Sequence, residues 1–346
     1  MRPGSKRRVW LFCRVVVASV VIGVAYGGLI GMGVRGSPVV GGLIGAIHGL
    51  IIGSVIGSME IFGARTPPGR AIERAPFLMT LAVKGMIYGA VIGLVQGGNV
   101  GPRILAVRPA APFWSPVVLQ GLVFSVVTML GFVFMLKISQ LVGGRTLRDL
   151  VLGRYHRPRA EERFFLFVDL AGSTALAERA GPAAVHRFLR RVFSIAADPV
   201  DDHRGEIYQY VGDEIVITWP VAQGRPDARP IECFFAIEAA LSRAASDFER
   251  EYGVAPRLRA ALHAGPVIAG EVGDTKREIV FHGDVVNTAS RLEQASRDLE
   301  RQFVISAEAL SRLRGAERYR LEDLGAQALR GRAGSIHIFA VQAAAR

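Results

Sequence analysis

The stretch FFLFVDLAGST, residues 164–174, decides the fold of the second half of the chain. Five apolar residues lead directly into one acid, Asp169, and a small turn follows. An apolar run of this length that ends at a glycine turn predicts a buried β-strand and then a helix. Asp169 then lies beside free backbone N–H groups, where a carboxylate can hold a metal ion that carries a phosphorylated ligand. Taken alone, an acid at this place is more typical of a helix cap or a turn.

A second acid, Asp213, changes that interpretation. It lies in GEIYQYVGDEIVITWP, residues 205–220, where two apolar-rich segments flank Gly212-Asp213 and predict a β-hairpin with an acid at its tip. An aspartate in a hairpin turn is ordinary by itself. Two carboxylates at the ends of neighbouring strands, however, can hold two divalent cations that stabilise the attacking and leaving oxygens of phosphoryl transfer.

Basic and amide side chains follow at two places. In FHGDVVNTASRLE, residues 281–293, a glycine turn precedes a predicted helix on which Asn287 and Arg291 are four residues apart and share one face. Arginine suits a developing phosphate charge because its donors form a rigid fork, although an exposed Asn and Arg are also typical of a solvated helix face. In LRGRAGSIHIFAV, residues 329–341, Arg330 and Arg332 precede a last strand.

These segments, together with FVDLAGST and YVGDEIVITW, resemble in order and spacing the catalytic domain of class III adenylate/guanylate cyclases. The resemblance covers about residues 164–342 and implies an α+β ferredoxin-like domain. It also implies a head-to-tail homodimer with active sites at the interface and two Mg²⁺ or Mn²⁺ ions per site. The implied reaction is attack of the ribose 3′-hydroxyl of ATP on the α-phosphate, which gives 3′,5′-cyclic AMP and pyrophosphate.

The resemblance assigns roles residue by residue. Asp169, Asp213 and the backbone of Leu170 match the metal ligands, and Asn287 and Arg291 match the catalytic pair that orients the ribose and stabilises the transition state. The implied phosphate-binding residues are Gly172, Ser173, Thr174 and Arg330. Arg330 stands where the family commonly has a lysine, and the nearby Arg332 leaves its register open by two.

The residues implied in base recognition depart from the family. Gln209, four residues before Asp213, stands where adenylate cyclases typically have a lysine, and Val280 stands where they have Asp or Thr. The Glu–Cys pair typical of guanylate cyclases is also absent from the sequence. Since a glutamine amide both donates and accepts, Gln209 can read either purine. ATP is the expected substrate, and GTP or dual specificity stays open.

The first half of the chain predicts an all-α membrane region. Four apolar stretches are each long enough to cross a bilayer, at residues 9–34, 38–57, 77–97 and 116–136. Basic residues concentrate before the first stretch and between the second and third, which predicts that both termini are cytoplasmic. The predicted organisation is therefore a transmembrane region at 1–137, a cytosolic linker at 138–163 and a catalytic domain at 164–346. The expected location is the cell (inner or plasma) membrane, with multiple passes through the lipid bilayer.

Three features of the membrane stretches lead to further expectations. Closely spaced glycines, as in GGLIGAIHGLIIGSVIG at 41–57, predict close helix packing rather than a pore. Lys84 is expected to snorkel towards the interface. His48 lies in mid-span, where a packed, hydrogen-bonded histidine and a sensing residue are both open interpretations.

Composition and motifs weigh against other classes of protein. Much of the net charge of +12 flanks the apolar stretches, so no nucleic-acid partner is expected. With two cysteines, a disulfide framework is not supported. The sequence has no P-loop motif, and VGDEI does not meet the GGDEF signature of diguanylate cyclases. A transporter with a regulatory tail is disfavoured, and a cyclase-like module that binds nucleotide without turnover remains the alternative to an enzyme.

Overall fold

The computed structural model describes residues 3–32, 37–63, 66–105, 115–329 and 334–343. The chain divides into two compact units, Met1–Val142 and Gly143–Arg346. The first unit is helical throughout its described part, and the second is mixed α and β. This is the predicted fold class, a region of four long apolar helices followed by an α+β domain.

The helices of the first unit agree with the four predicted stretches. They are α1 (Pro3–Ile30), α2 (Pro38–Ile61), α3 (Pro67–Arg74), α4 (Phe77–Gly97), α5 (Val100–Ile104) and α6 (Pro116–Val142). Within the described residues, the segments long and apolar enough to cross a membrane are Val9–Ile30, Pro38–Ile61, Phe77–Ile104 and Pro116–Ser139. The third is longer than predicted because α5 continues it past the turn at Gly98 and Asn99.

Glycines bring α1 and α2 into backbone contact. A Cβ atom added to Gly45 would lie 1.9 Å from the carbonyl oxygen of Gly23, and one added to Gly27 would lie 2.1 Å from that of Gly41. Small residues permit this approach, as predicted for close helix packing. On α4, by contrast, a Cβ atom added to Gly89 or Gly93 would meet no described atom within 4 Å.

An ionic cluster joins four helices of this unit; it comprises Glu60, Glu73, Lys84, Tyr88 and Lys137. The Lys84 ammonium donates to both Glu60 oxygens at 2.8 and 2.9 Å and to Glu73 Oε1 at 2.6 Å. The Tyr88 hydroxyl donates to Glu60, and Lys137 donates to Glu73. Lys84 is buried, so the expectation that it snorkels was wrong. Two carboxylates stabilise the charge of Lys84. Neither lies on α4, the helix of Lys84, since Glu60 is on α2 and Glu73 is on α3.

A cavity of about 210 Å³ lies among the helices, and mostly apolar side chains line it. His48, Gln96 and Ser125 are among its polar lining residues. The Gly101 N–H donates to His48 Nε2 at 3.2 Å, and the Gln96 amide donates to the Ser125 hydroxyl. His48 is therefore hydrogen-bonded, and a sensing role for it stays a prediction.

The second unit is built on one mixed sheet. Its helices are α7 (Gly144–Val151), α8 (Ser173–Ala180), α9 (Pro182–Asp202), α10 (Val221–Gly224), α11 (Arg229–Ser242), α12 (Ala245–Tyr252), α13 (Asp284–Asp298) and α14 (Ala307–Arg312). Its strands are β1 (Arg159–Ala171), β2 (Glu206–Val211), β3 (Glu214–Pro220), β4 (Arg257–Val272), β5 (Glu278–His282), β6 (Phe303–Ser306), β7 (Arg320–Ala328) and β8 (Ser335–Gln342). The strand order is β2-β3-β1-β4-β6-β8-β7, and β5 pairs with β4 outside this path. The pairing of β4 with β6 is parallel, and the other pairings are antiparallel.

The central strand β1 has a different helix layer on each face. Phe164, Leu166 and Val168 belong to a core shared with α9 and α11. Phe165 and Phe167 belong to a second core shared with Val285 and Ala289 of α13. Because side chains alternate along a strand, Asp169 continues the row of Phe165 and Phe167 and lies on the α13 face.

One element boundary differs from the sequence predictions. Strand β1 begins at Arg159, inside the stretch predicted as linker, because it pairs with β4 along its whole length. Helices α11 and α12 are separated by a break at Arg243 and Ala244. Ala244 has φ −101° and ψ 1°, outside the helical range. The hairpin with Gly212-Asp213 at its turn is as predicted.

Candidate active site

The two predicted metal-ligand aspartates lie close together at one end of the sheet. Asp169 is near the end of β1 and is 4% exposed, and it pairs across the ladder with Arg259 of β4. On its other side Val168 pairs with Ile215 of β3, so Glu214 stands next in the row opposite Asp169. Asp213 occupies the turn that precedes Glu214, and its charge acts on Asp169.

The pKa values of Asp169 and Glu214 at this edge are both raised. Burial raises the pKa of Asp169, and the charge of Asp213 adds to it, while Arg297 and Arg259 oppose the increase. Burial also raises the pKa of Glu214 to about 7, with the charges of Glu293, Asp169 and Asp213 contributing. A cluster of buried negative charge of this kind favours a bound cation.

The donor set fits a divalent cation. Glu214 Oε1 is buried and has no hydrogen-bond partner among the described residues, while the Leu170 N–H is bonded to the Asp169 carboxylate. Within the described ranges, no three His, Cys, Asp or Glu side chains converge to form a complete metal site. Hard divalent cations often complete their shell with water and ligand phosphates, so two aspartates with a nearby spare carboxylate oxygen suit Mg²⁺ or Mn²⁺.

The predicted phosphate turn begins α8. Gly172 has φ 85° and ψ 11°, a left-handed conformation that glycine adopts at little cost, and it directly precedes Ser173 and Thr174 at the start of the helix. A helix begins at this turn, as the sequence predicts, and its role in phosphate binding stays a prediction. Arg330, the fourth predicted phosphate ligand, and Arg332 lie outside the described residues.

A polar cavity of about 530 Å³ adjoins this turn at Ala171. Three arginines contribute to its lining, Arg257, Arg259 and Arg301. None of the three was predicted as a site residue. The signal available for Arg257 and Arg259 was the sequence RLR at the start of β4, where alternation puts both arginines on the same face of the strand.

The predicted catalytic pair lies on the opposite side of α13 from the aspartates of the same chain. At about 100° per residue, Asn287 and Arg291 project roughly 120–160° away from Ala289 and Glu293, which face the sheet. Asn287 is exposed and Arg291 is half-buried. The fold therefore brings Asp169 and Asp213 together but does not bring Asn287 and Arg291 to them within one chain.

A side chain of α13 that was not predicted as a site residue, Arg297, does reach Asp169. The Arg297 guanidinium forms an ion pair with Asp169 Oδ2 at 3.1 Å, and its Nε donates to Glu293 Oε1 at 3.0 Å. Val285, Ala289, Glu293 and Arg297 recur every four residues and so share one face. That periodicity was the signal available in the sequence, where two apolar residues and then two charged ones follow the same stripe.

The predicted base-recognition residues lie on two different strands. Gln209 is exposed on β2, next to a bulge in its pairing with β3. Val280 is half-buried on β5 and pairs with Gly270 of β4. The neighbouring rings of Tyr208 and Phe281 are 5.1 Å apart between centroids, which holds the two segments near each other.

Residues 156–343, more than half of the chain, match the family model of the adenylate and guanylate cyclase catalytic domain. The chain belongs to this family. The chain also resembles curated relatives. One is adenylate cyclase 2 of Rhizobium meliloti (strain 1021), 43% identical over 225 residues, which are 65% of this chain and 62% of the relative. Another is an adenylate cyclase of Mycobacterium tuberculosis (strain ATCC 25618 / H37Rv), 32% identical over 167 residues, which are 48% of this chain and 36% of the relative.

Among solved structures, the chain is similar to a bacterial light-regulated adenylyl cyclase. The TM-score is 0.54 at 20% identity, and the match covers 66% of each chain. At this identity the likeness supports the fold alone. The matched part spans less than two thirds of the length of both curated relatives.

Proposed function

We propose that this protein is an integral-membrane adenylate cyclase that converts ATP to 3′,5′-cyclic AMP and pyrophosphate. Family membership and the adenylate cyclases among its relatives support nucleotidyl cyclase chemistry. The observation that carries the proposal is the acidic edge of the sheet, where Asp169 and Asp213 lie beside the unpartnered oxygen of Glu214.

The placement of the other candidate residues supports a homodimeric site. Asn287 and Arg291 face away from Asp169 and Asp213 of their own chain, so one chain alone supplies half of the required groups to each site. In a two-fold symmetric pair, the aspartates of one protomer meet Asn287 and Arg291 of its partner, and two equivalent sites form.

The chain's residues then have defined tasks. Asp169 and Asp213 hold two divalent cations, Mg²⁺ or Mn²⁺, with the backbone of Leu170 as a further ligand. When bound, these ions lower the pKa of the ribose 3′-hydroxyl and neutralise charge on the triphosphate. Asn287 orients the ribose for in-line attack, and Arg291 stabilises the charge that develops at the α-phosphate.

Further groups bind the phosphates. The backbone N–H groups of Gly172, Ser173 and Thr174 lie at the start of α8 and donate to the phosphates, because the N-terminus of a helix binds anions. Arg330 supplies a positive charge where the family has a lysine.

In this proposal the cyclase reaction takes place at the cytoplasmic face of the membrane. The four candidate spans have the length and hydropathy of transmembrane helices. Their basic flanks predict that the N-terminus and the cyclase domain share the cytoplasmic side of the cell membrane, where ATP is available.

Guanylate or dual-specificity cyclase is the second candidate. Gln209 is exposed and its amide can pair with either purine, while the Val280 side chain offers no hydrogen bond. ATP is favoured by the named relatives, both of which are adenylate cyclases. A cyclase-like module without turnover is the third candidate.

The first test measures product. Membranes that contain the full chain are incubated with ATP or GTP in Mg²⁺ or Mn²⁺, and Asp213→Asn protein is the control. Cyclic AMP above the control supports the proposal, and cyclic GTP in preference would transfer it to guanylate cyclase. If neither cyclic nucleotide forms with either metal, both cyclase candidates are rejected and the regulatory module remains.

The second test addresses the shared site. Asp169→Ala and Arg291→Ala chains are each inactive, but their coexpression forms heterodimers with one intact site. Random pairing should restore about a quarter of wild-type activity, since half of the dimers have one working site of two. No recovery despite isolated heterodimers would reject the homodimeric site without rejecting the cyclase.

A further inference from the structure

We propose that Arg297 is a built-in counter-ion that competes with divalent cations for Asp169 and keeps the resting site neutralised. This inference rests on the proposed function, because it concerns the cation site of the cyclase. It assigns to Arg297 a role that is separate from those of Asn287 and Arg291 on the same helix.

The geometry puts the guanidinium where a cation is required. Arg297 lies 3.1 Å from Asp169 Oδ2 and 3.0 Å from Glu293 Oε1, so it bridges two buried carboxylates. A divalent cation on Asp169 needs oxygen lone pairs that are free of other donors. Because the Arg297 guanidinium already lies against Oδ2, a metal ion on that oxygen has to compete with it.

The surrounding charge explains why a counter-ion is needed. Burial and repulsion between neighbouring acids raise the pKa values of Asp169, Glu214 and Glu293, and the charge of Asp213 acts on the first two. Arg297 and Arg259 are the positive groups that act on Asp169. Without Arg297, Arg259 would be the positive group left beside these four acids. Like charges that lie close together in a buried site are destabilising unless a cation lies between them.

The release of Arg297 is mechanically simple. Its side chain is 49% exposed, whereas those of Asp169 and Glu293 are each 5% exposed. The guanidinium can therefore turn towards solvent and keep Glu293, its i−4 neighbour on the helix, as a partner. The exchange changes which positive group contacts Asp169 and leaves the sheet in place.

The test measures cation binding rather than turnover. Full-length protein in detergent micelles is titrated with Mn²⁺ in the absence of nucleotide, and the free ion is followed by electron paramagnetic resonance. A neighbouring arginine weakens proton binding to an aspartate by about tenfold or more, and the half-exposed Arg297 belongs at the lower end. Arg297→Gln should therefore bind Mn²⁺ about tenfold more tightly than wild type.

Two further variants make the result interpretable. Arg301→Gln is the matched control, because Arg301 lies one turn further along the chain and pairs with Glu322 at 2.5 Å; its Mn²⁺ affinity should stay within about twofold of wild type. Arg297→Lys keeps the charge but not the two-carboxylate fork, so its affinity should lie between those of wild type and Arg297→Gln. This ordering can be measured even if the glutamine variant folds poorly.

Two outcomes separate this inference from the function on which it rests. If Arg297→Gln and wild type bind Mn²⁺ equally well and wild type makes cyclic AMP, the counter-ion role is rejected and the cyclase stands. If no variant binds Mn²⁺ and no cyclic nucleotide forms, both proposals fail together.

Discussion

Replacing Arg163 with methionine should destabilise the cyclase domain more than any exposed arginine change. Arg163 is 1% exposed and donates to Glu161 at 2.9 Å, to Glu206 at 2.5 Å and to the Thr218 hydroxyl at 3.0 Å. Its guanidinium also stacks 4.4 Å from the ring centroid of Phe281. Methionine fills a similar volume but leaves the two carboxylates without their shared cation.

The size of the effect follows from burial. Removing one partner of a buried ion pair costs about 3–5 kcal/mol, and the lower end applies because Glu206 is 23% exposed and can recruit water. About 3 kcal/mol lowers the midpoint of thermal unfolding by roughly 6–12 °C in a unit of this size.

The assay uses Trp219, which is fully buried in the same domain and bonded to the His203 carbonyl. Thermal unfolding of the full chain in detergent is followed by the red shift of its emission, with Trp10 and Trp114 replaced by phenylalanine. Arg250→Met is the matched control, since Arg250 is 78% exposed in its pair with Asp247 and its removal should cost less than about 0.5 kcal/mol.

Adding Glu206→Gln to Arg163→Met should recover part of the loss, because one uncompensated carboxylate is then neutral. If Arg163→Met unfolds within about 2 °C of the Arg250→Met control, the buried arginine does not organise this end of β1 and the reasoning is wrong.

Three more predictions concern other parts of the chain. Gly45→Leu should destabilise the first unit by at least about 3 kcal/mol, measured by thermal loss of helical circular dichroism, because its Cβ would meet the Gly23 carbonyl oxygen at 1.9 Å. Gly93→Leu is its control and should be nearly neutral. Burial raises the pKa of Glu73, but the two lysines of the ionic cluster outweigh it and the net pKa is lowered. The ionised Glu73 therefore stabilises the first unit at neutral pH, and this contribution is lost as the pH falls through the lowered pKa. On acidification, Glu73→Gln should lose less thermal stability than the wild type. Glu214→Gln removes the spare carboxylate oxygen and should weaken Mn²⁺ binding about tenfold in the same titration used for Arg297; unchanged affinity would exclude Glu214 from the cation site.

Local patterns in the sequence were sufficient for most elements of the fold. The four long helices follow from apolar runs that match a bilayer, and the ends of β1 and of the β2–β3 hairpin follow from the turns at Gly172 and Gly212. These features depend on residues that are close along the chain. The same locality explains why Asp169 and Asp213 could be paired, since each ends or begins a recognisable strand.

Features stabilised by distant residues could not be predicted. The strand start at Arg159 lies in a polar stretch, and Arg163 is buried only because Glu206 and Thr218 arrive from the hairpin more than 40 residues later. Lys84 was expected at the interface because the sequence does not show that Glu60 and Glu73, from other helices, pair with it. In each case the sequence shows the charge but not the side chain that neutralises it.

Helix α13 explains why the site is divided as it is. One side presents Glu293 and Arg297 to the acidic edge of its own sheet, and the other presents Asn287 and Arg291 outward. In the proposed homodimer, a protomer's aspartates therefore receive their catalytic arginine from a partner but their resting counter-ion from their own chain. Under both proposals, an unpaired protomer would keep its acids neutralised by Arg297, and pairing would add the catalytic groups from the partner. Because one helix carries both sets, a shift of α13 in such a dimer would move the ion pair of one site and the catalytic pair of the other together.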